Sequence, residues 1–249
     1  MKKSSASAPP RKNPLKGKIA LITGATLGIG FEIARALADE GCTLVLCGRN
    51  QARLRTVEAQ LVGKRFRVLA VPCDVRDQKS VAKLFAAVRK KFGRLDILVN
   101  SAGIAHAFTP IGKLPVETWN DVLATNLTGI FLVTQAALPL MKRGATIANI
   151  LSMSAKRAFP NLAAYNASKF GALGFTSTLR TELRDEGIRV IALLPGPTDT
   201  PIWDTLWPDA PRAKMIRVAT VAEILVSALK LPQDTTVEEL DLMPTAGGL

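Results

Sequence analysis

The sequence predicts an α/β fold: a doubly wound parallel sheet of seven strands with helices on both faces. Three observations carry that prediction. Short apolar runs alternate with longer segments of helical period along the whole chain after Pro14. All but the last run are apolar throughout rather than alternating, as strands read when helices cover both their faces. A glycine-rich stretch directly follows the first run, at the strand end where such sheets place their ligands.

Ile19-Ala20-Leu21-Ile22 reads as the first strand. Thr43 to Leu46 and Val68 to Val71 read as the second and third, and Leu95 to Val99 as the fourth. Thr146 to Leu151, Ile188 to Leu194 and Val237 to Leu242 complete the seven. Between them, segments such as Gly30 to Glu40 and Ser80 to Lys91 repeat apolar residues at helical spacing. No repeat or low-complexity linker divides residues 15–249, so one domain is expected there. Residues 1–14 read as a disordered basic arm. The segment of about 197–219 is rich in proline and suits a lid or substrate wall; its Trp203 and Trp207 serve equally to line an apolar pocket or to pack the loop onto the body.

The formal charge is +13, and six of the positive residues fall within the first eighteen. No nucleic-acid-binding module accompanies that charge, so an anionic cofactor or substrate and a solvated surface account for it. No run of about 18 apolar residues marks a membrane span. The amino terminus has charge without an apolar run behind it, unlike a secretory signal. A cytoplasmic protein with no membrane and no nucleic-acid partner is expected. Three cysteines, Cys42, Cys47 and Cys73, form neither a disulfide framework nor a metal-binding spacing and read as buried thiols; no metal site is expected.

Thr23-Gly24-Ala25-Thr26-Leu27-Gly28-Ile29-Gly30 links the first strand to a helix. Glycine lets a pyrophosphate approach the main chain, and the helix start offers free N–H groups. The same spacing also serves a tight turn without a ligand. Tyr165 and Lys169 stand four residues apart, on one face of a helical pattern. An ammonium beside a phenol favours the phenolate and should lower the tyrosine pKa from about 10. A phenol so tuned is a general acid/base. Ser152 ends the fifth strand, 13 positions earlier, and should emerge at the same sheet edge.

Together these residues resemble the short-chain dehydrogenase/reductase family, with its Rossmann-type sheet, from about Lys16 to Leu242. The resemblance is carried by Thr23 to Gly30, Asp74, Asn100-Ser101-Ala102-Gly103, Asn126, Ser152, Tyr165 with Lys169, and Pro195-Gly196. It implies that Tyr165 donates or accepts the proton and that Lys169 acidifies it and binds the nicotinamide ribose. Ser152 would hydrogen-bond the substrate oxygen, and Asn126 would hold a relay water. The resemblance places Gly24, Thr26, Leu27, Gly28, Ile29 and Gly30 under the cofactor phosphates. Asp74, Val75, Asn100, Ala102 and Gly103 would flank the adenine side, and Pro195, Gly196, Thr198 and Thr200 would border the nicotinamide.

The second strand runs into Cys47-Gly48-Arg49-Asn50, with an arginine where an acid would bind a ribose 2′-hydroxyl. Guanidinium matches a 2′-phosphate, so NADP(H) is the expected cofactor over NAD(H). The implied activity is hydride transfer between NADP(H) and a carbonyl or secondary alcohol, with 3-oxoacyl-type ketones among the candidates. The implied assembly is a homo-oligomer, dimer or homotetramer, built on segments around Asn126 to Lys142 and Ala163 to Glu186. A catalytically silent dinucleotide sensor on the same fold is the alternative. A serine hydrolase is a rival that the missing G-x-S-x-G elbow and a single histidine, His106, which reads as a solvated loop residue, argue against. Epimerase or dehydratase chemistry at a related site is a further alternative within the class.

Overall fold

In the computed structural model, residues 13–64 and 66–247 are described. Most of the expected basic arm lies outside them. Seven parallel strands form one sheet in the order β3-β2-β1-β4-β5-β6-β7. They are β1 (Ile19–Thr23), β2 (Thr43–Gly48), β3 (Val68–Pro72), β4 (Ile97–Asn100), β5 (Thr146–Ile150), β6 (Arg189–Pro195) and β7 (Glu239–Leu242). The helices are α1 (Gly28–Asp39), α2 (Gln51–Gly63), α3 (Gln78–Phe92), α4 (Val116–Leu123), α5 (Gly129–Ala137), α6 (Ala163–Glu182), α7 (Trp203–Leu206) and α8 (Val218–Leu229).

The apolar runs fold as they do because both faces of the sheet are covered. Successive β1 residues alternate between two cores. Ala20 and Ile22 join Leu44, Leu46 and Val99 under α1, α2 and α8. Leu21 joins Val45, Leu98 and Ile147 under α3, α5 and α6. Every residue of β1, β4, β5 and β6 is buried. At the sheet edge β7 alternates between exposed and half-buried, which explains why its sequence lacks a continuous apolar run. Local signals fix the helix starts. Asn50 accepts from the Arg53 N–H at 3.0 Å, and Asp77 accepts from Lys79 and Ser80 at 3.0 and 3.2 Å. Gly93 closes α3 at φ +68°.

Some boundaries differ from the sequence reading. β4 begins at Ile97 rather than Leu95, because Asp96 turns its carboxylate to the Ile19 N–H at 2.8 Å. β5 ends at Ile150, so Ser152 lies just beyond the strand. It caps a short 3₁₀ turn over Met153–Ala155, its hydroxyl accepting from the Ser154 N–H at 3.1 Å.

The chain moves outward through β2 and β3, then reverses across β1 to β4. β1 therefore has β2 on one side and β4 on the other. This is the topological switch point, where the loops after the two strands part and leave a crevice. Both the glycine-rich stretch after β1 and the Ser101-Ala102-Gly103 loop after β4 open there.

Candidate active site

A cleft of about 930 Å³ lies along the carboxyl ends of the strands. Its floor is main chain. Gly24 and Gly28 adopt φ of +64° and +57°, a region that side-chain-bearing residues rarely enter. A Cβ on Gly24 would stand 2.8 Å from the Ala102 Cα, and one on Gly30 would collide with the Gly24 carbonyl oxygen. The Thr23 hydroxyl accepts from the Ser101 and Ala102 N–H groups at 3.0 and 3.1 Å, tying the β1 and β4 loops together. α1 starts without a side-chain cap, so its first N–H groups face the cleft unspent. This is a cradle for a phosphate group: backbone donors, no side chain in the way, and a helix dipole behind.

Gly24, Thr26, Leu27, Gly28, Ile29, Gly30, Arg49, Val75, Ala102, Gly103, Pro195, Gly196, Thr198 and Thr200 all line the cleft, with Ser152, Tyr165 and Lys169. Arg49 stands beside Arg53 at the far end. Three expected site residues do not reach it. Asp74 turns to the Arg76 guanidinium at 2.8 Å, which holds its carboxyl below the usual range. Asn100 is buried, its amide donating to Thr134 and Asn149 at 3.1 and 2.9 Å. Asn126 is wholly buried in a π-helical turn, Ala124–Thr128. Its amide exchanges bonds with the Ile104 backbone at 2.8 and 2.9 Å and donates to Ser168 at 3.1 Å. It fixes the β4 loop against α6.

Tyr165 and Lys169 share the inner face of α6, as the i, i+4 spacing requires. The Lys169 ammonium lies 5.6 Å from the Tyr165 ring centroid and donates to the Ile150 carbonyl at 3.2 Å. One expectation is overturned here. The phenol is not acidified; burial pushes its pKa above 10, with the Ser152 hydroxyl pulling the other way. Burial also lowers Lys169 to about 8. The phenolate loses its hydration in this pocket, and that outweighs a lysine that is itself less willing to carry charge.

His106 also departs from expectation. It is 5% exposed, with Nδ1 2.8 Å from the Ala107 carbonyl oxygen and Nε2 buried. It packs in the β4 loop rather than standing in solvent, and it does not line the cleft. All three cysteines are buried and free, and Cys47 and Cys73 also line the cleft, which the sequence does not signal.

The segment after β6 closes the other side of the cleft. Thr198 bridges to Ile216, and the Trp203 indole donates to the Thr198 carbonyl at 2.9 Å. Arg212 clamps Asp199, Asp204 and the Thr200 carbonyl at 3.0, 2.5 and 2.8 Å. Leu206 packs directly on Tyr165 and Leu162, with Trp203 and Ile202 beside them. Trp203 therefore both anchors the loop and lines the cleft, while Trp207 lines the cleft and is 40% exposed.

This arrangement matches known proteins across most of the chain. A family model described as short chain dehydrogenase matches residues 18–211. A putative ketoacyl reductase of Streptomyces coelicolor is 41% identical over 189 residues, 74% of this chain and 72% of that protein. A crystal structure of a single-substitution variant of actinorhodin polyketide ketoreductase with NADPH is 33% identical, with a TM-score of 0.83, covering 94% of this chain and 98% of that one. A 3-ketoacyl-(acyl-carrier-protein) reductase from Brucella melitensis, complexed with NADH, is 32% identical with a TM-score of 0.82, covering 91% and 97%. With the cradle, the fold and these matches in agreement, the chain is an oxidoreductase acting on alcohol or ketone groups, and it belongs to the short-chain dehydrogenase/reductase family.

Proposed function

We propose that the protein uses NADP(H) to interconvert a ketone and a secondary alcohol, with Tyr165 as the general acid/base. The observation that carries this reading is convergence: Ser152, Tyr165 and Lys169 open into the same cleft as the glycine cradle. The nicotinamide, when bound, supplies or accepts the hydride. In the reducing direction the Ser152 hydroxyl donates to the carbonyl oxygen and steadies its growing charge. The Tyr165 phenol then gives its proton to that oxygen. A phenol held above its usual pKa stays protonated at neutral pH, which suits a donor, and an alkoxide is a strong enough base to take the proton. Lys169, adjacent and buried, steadies the phenolate left behind.

Arg49, which lines the cleft and makes no ion pair among the described residues although Asp74 feels its charge, supports NADP(H) over NAD(H), and Arg53 stands ready as a second contact. Val75 rather than Asp74 forms the adenine wall. Asn100 and Asn126 act as positioning residues behind it. Apolar residues on the outer faces of α5 and α6, Phe131 at 43% and Phe170 at 45% exposure, support a homo-oligomer joined through those helices. Three unpaired cysteines suit the reducing cytoplasm.

The test is a panel of ketones and alcohols followed by NADPH absorbance, with Tyr165→Phe as the control. Turnover should fall by about 10³-fold in the variant while NADPH binding persists. A wild-type protein that binds NADPH and turns over nothing on the panel would favour the silent sensor.

A further inference from the structure

The charges lining the cleft do not balance, and the imbalance points to the substrate. Four cationic side chains, Arg49, Arg53, Arg157 and Lys169, meet a single acid, Asp204. That acid is already engaged by Arg212 at 2.5 Å. A phosphorylated dinucleotide accounts for Arg49 and Arg53 in the cofactor half, and Lys169 is buried beside Tyr165 where the two halves meet. Arg157 is left over.

Its position is on the substrate half. It belongs to the loop that leaves Ser152 and returns to Tyr165, and its N–H is pinned to the Met153 carbonyl at 3.0 Å. Its neighbour Lys156 is spent on Glu239 and Asp241, each at 2.7 Å. Arg157 makes no ion pair among the described residues and lines the cleft. The walls of that half are apolar or aromatic: Phe108, Phe159, Leu162, Trp203, Leu206 and Trp207. An apolar chamber edged by one exposed, uncommitted guanidinium suits an amphipathic guest.

We infer that the substrate is a ketone with an apolar body and an oxyanionic group, and that Arg157 binds the oxyanion. The inference rests on the ketone-reducing reading of the cleft. Guanidinium pairs equally well with carboxylate and phosphate, so either can be the source of the charge. Arg157 is a specificity residue here and takes no part in proton or hydride transfer.

The test is calorimetric titration of the protein, saturated with NADP⁺, with three ligands on one scaffold: 2-naphthoate, 2-naphthamide and 2-naphthyl phosphate. At least one anion should bind about fivefold tighter than the amide, with the advantage shrinking as salt rises. Arg157→Ala and Arg157→Gln should erase the advantage and leave amide and NADP⁺ binding unchanged. A stronger carboxylate response identifies a keto acid; a stronger phosphate response identifies a phosphate-bearing ketone. Equal, weaker or absent binding of both anions overturns the inference, as does an advantage that survives in Arg157→Ala. Ketone reduction measured in parallel separates the two claims. Turnover without anion preference removes only the role of Arg157, and anion preference without turnover removes only the reductase reading.

Discussion

The two halves of the cleft are built from different materials. The cofactor half is main chain: glycines at positive φ, open helix N–H groups, and a threonine hydroxyl that ties two loops together. The substrate half is side chains: two tryptophans, phenylalanines, Tyr165 and a clamp of Arg212 on two aspartates. A backbone cradle recognises what all dinucleotides share. A side-chain wall can be rebuilt without disturbing it, so chemistry and substrate choice can vary independently on one fold.

On that division, the largest effect of a single methyl group falls in the cradle. Gly30→Ala forces a Cβ against the Gly24 carbonyl. The expected outcome is a loss of about 3 kcal/mol of stability together with cofactor affinity, read by denaturant unfolding and NADPH titration. Arg49→Asp should cost less and act selectively. It should turn NADPH preference toward NADH by about tenfold, about 1.4 kcal/mol, in kcat/KM ratios. An unchanged ratio would move the phosphate contact to Arg53.

Lys169 sits where the two halves meet, and its effect on stability has the opposite sign. Its folded pKa of about 8 lies below the unfolded value of about 10.4. Between these values the unfolded chain binds more protons, so stability rises with pH across that window and the burial penalty is felt in full below it. Lys169→Met should abolish turnover yet raise Tm by about 2–4 °C at pH 7, equivalent to about 1 kcal/mol. The gap over wild type should close as pH climbs from 8 towards 10, followed by calorimetry at a series of pH values.

The same division explains what the sequence discloses. Glycines at fixed spacing mark the cradle because only backbone geometry is needed there. The i, i+4 pair places Tyr165 and Lys169 on one face because helix geometry is local. The phenol's pKa escapes the sequence because it depends on burial, which comes from Leu162 and Leu206, and Leu206 lies 41 positions further along. Asp74 and Asn100 match the motif, yet their side chains turn to Arg76, Thr134 and Asn149, partners that no spacing rule names. His106 sits in a loop by sequence, but the loop is packed inward.

The smallest effect belongs to the substrate wall, and it tests whether the lid is a separate part. The Trp203 indole N–H donates to the Thr198 carbonyl at 2.9 Å, while its ring packs beside Tyr165. Trp203→Phe keeps an aromatic ring in the wall but removes the donor. One net hydrogen bond contributes about 1 kcal/mol, so global stability should fall by no more than that. The loosened loop should raise KM for the ketone a few-fold, leaving NADPH affinity and the pH profile of kcat unchanged. A change in NADPH affinity comparable to that in KM would mean that the lid also holds the cofactor, through Thr198 and Thr200, and that the two halves are mechanically one.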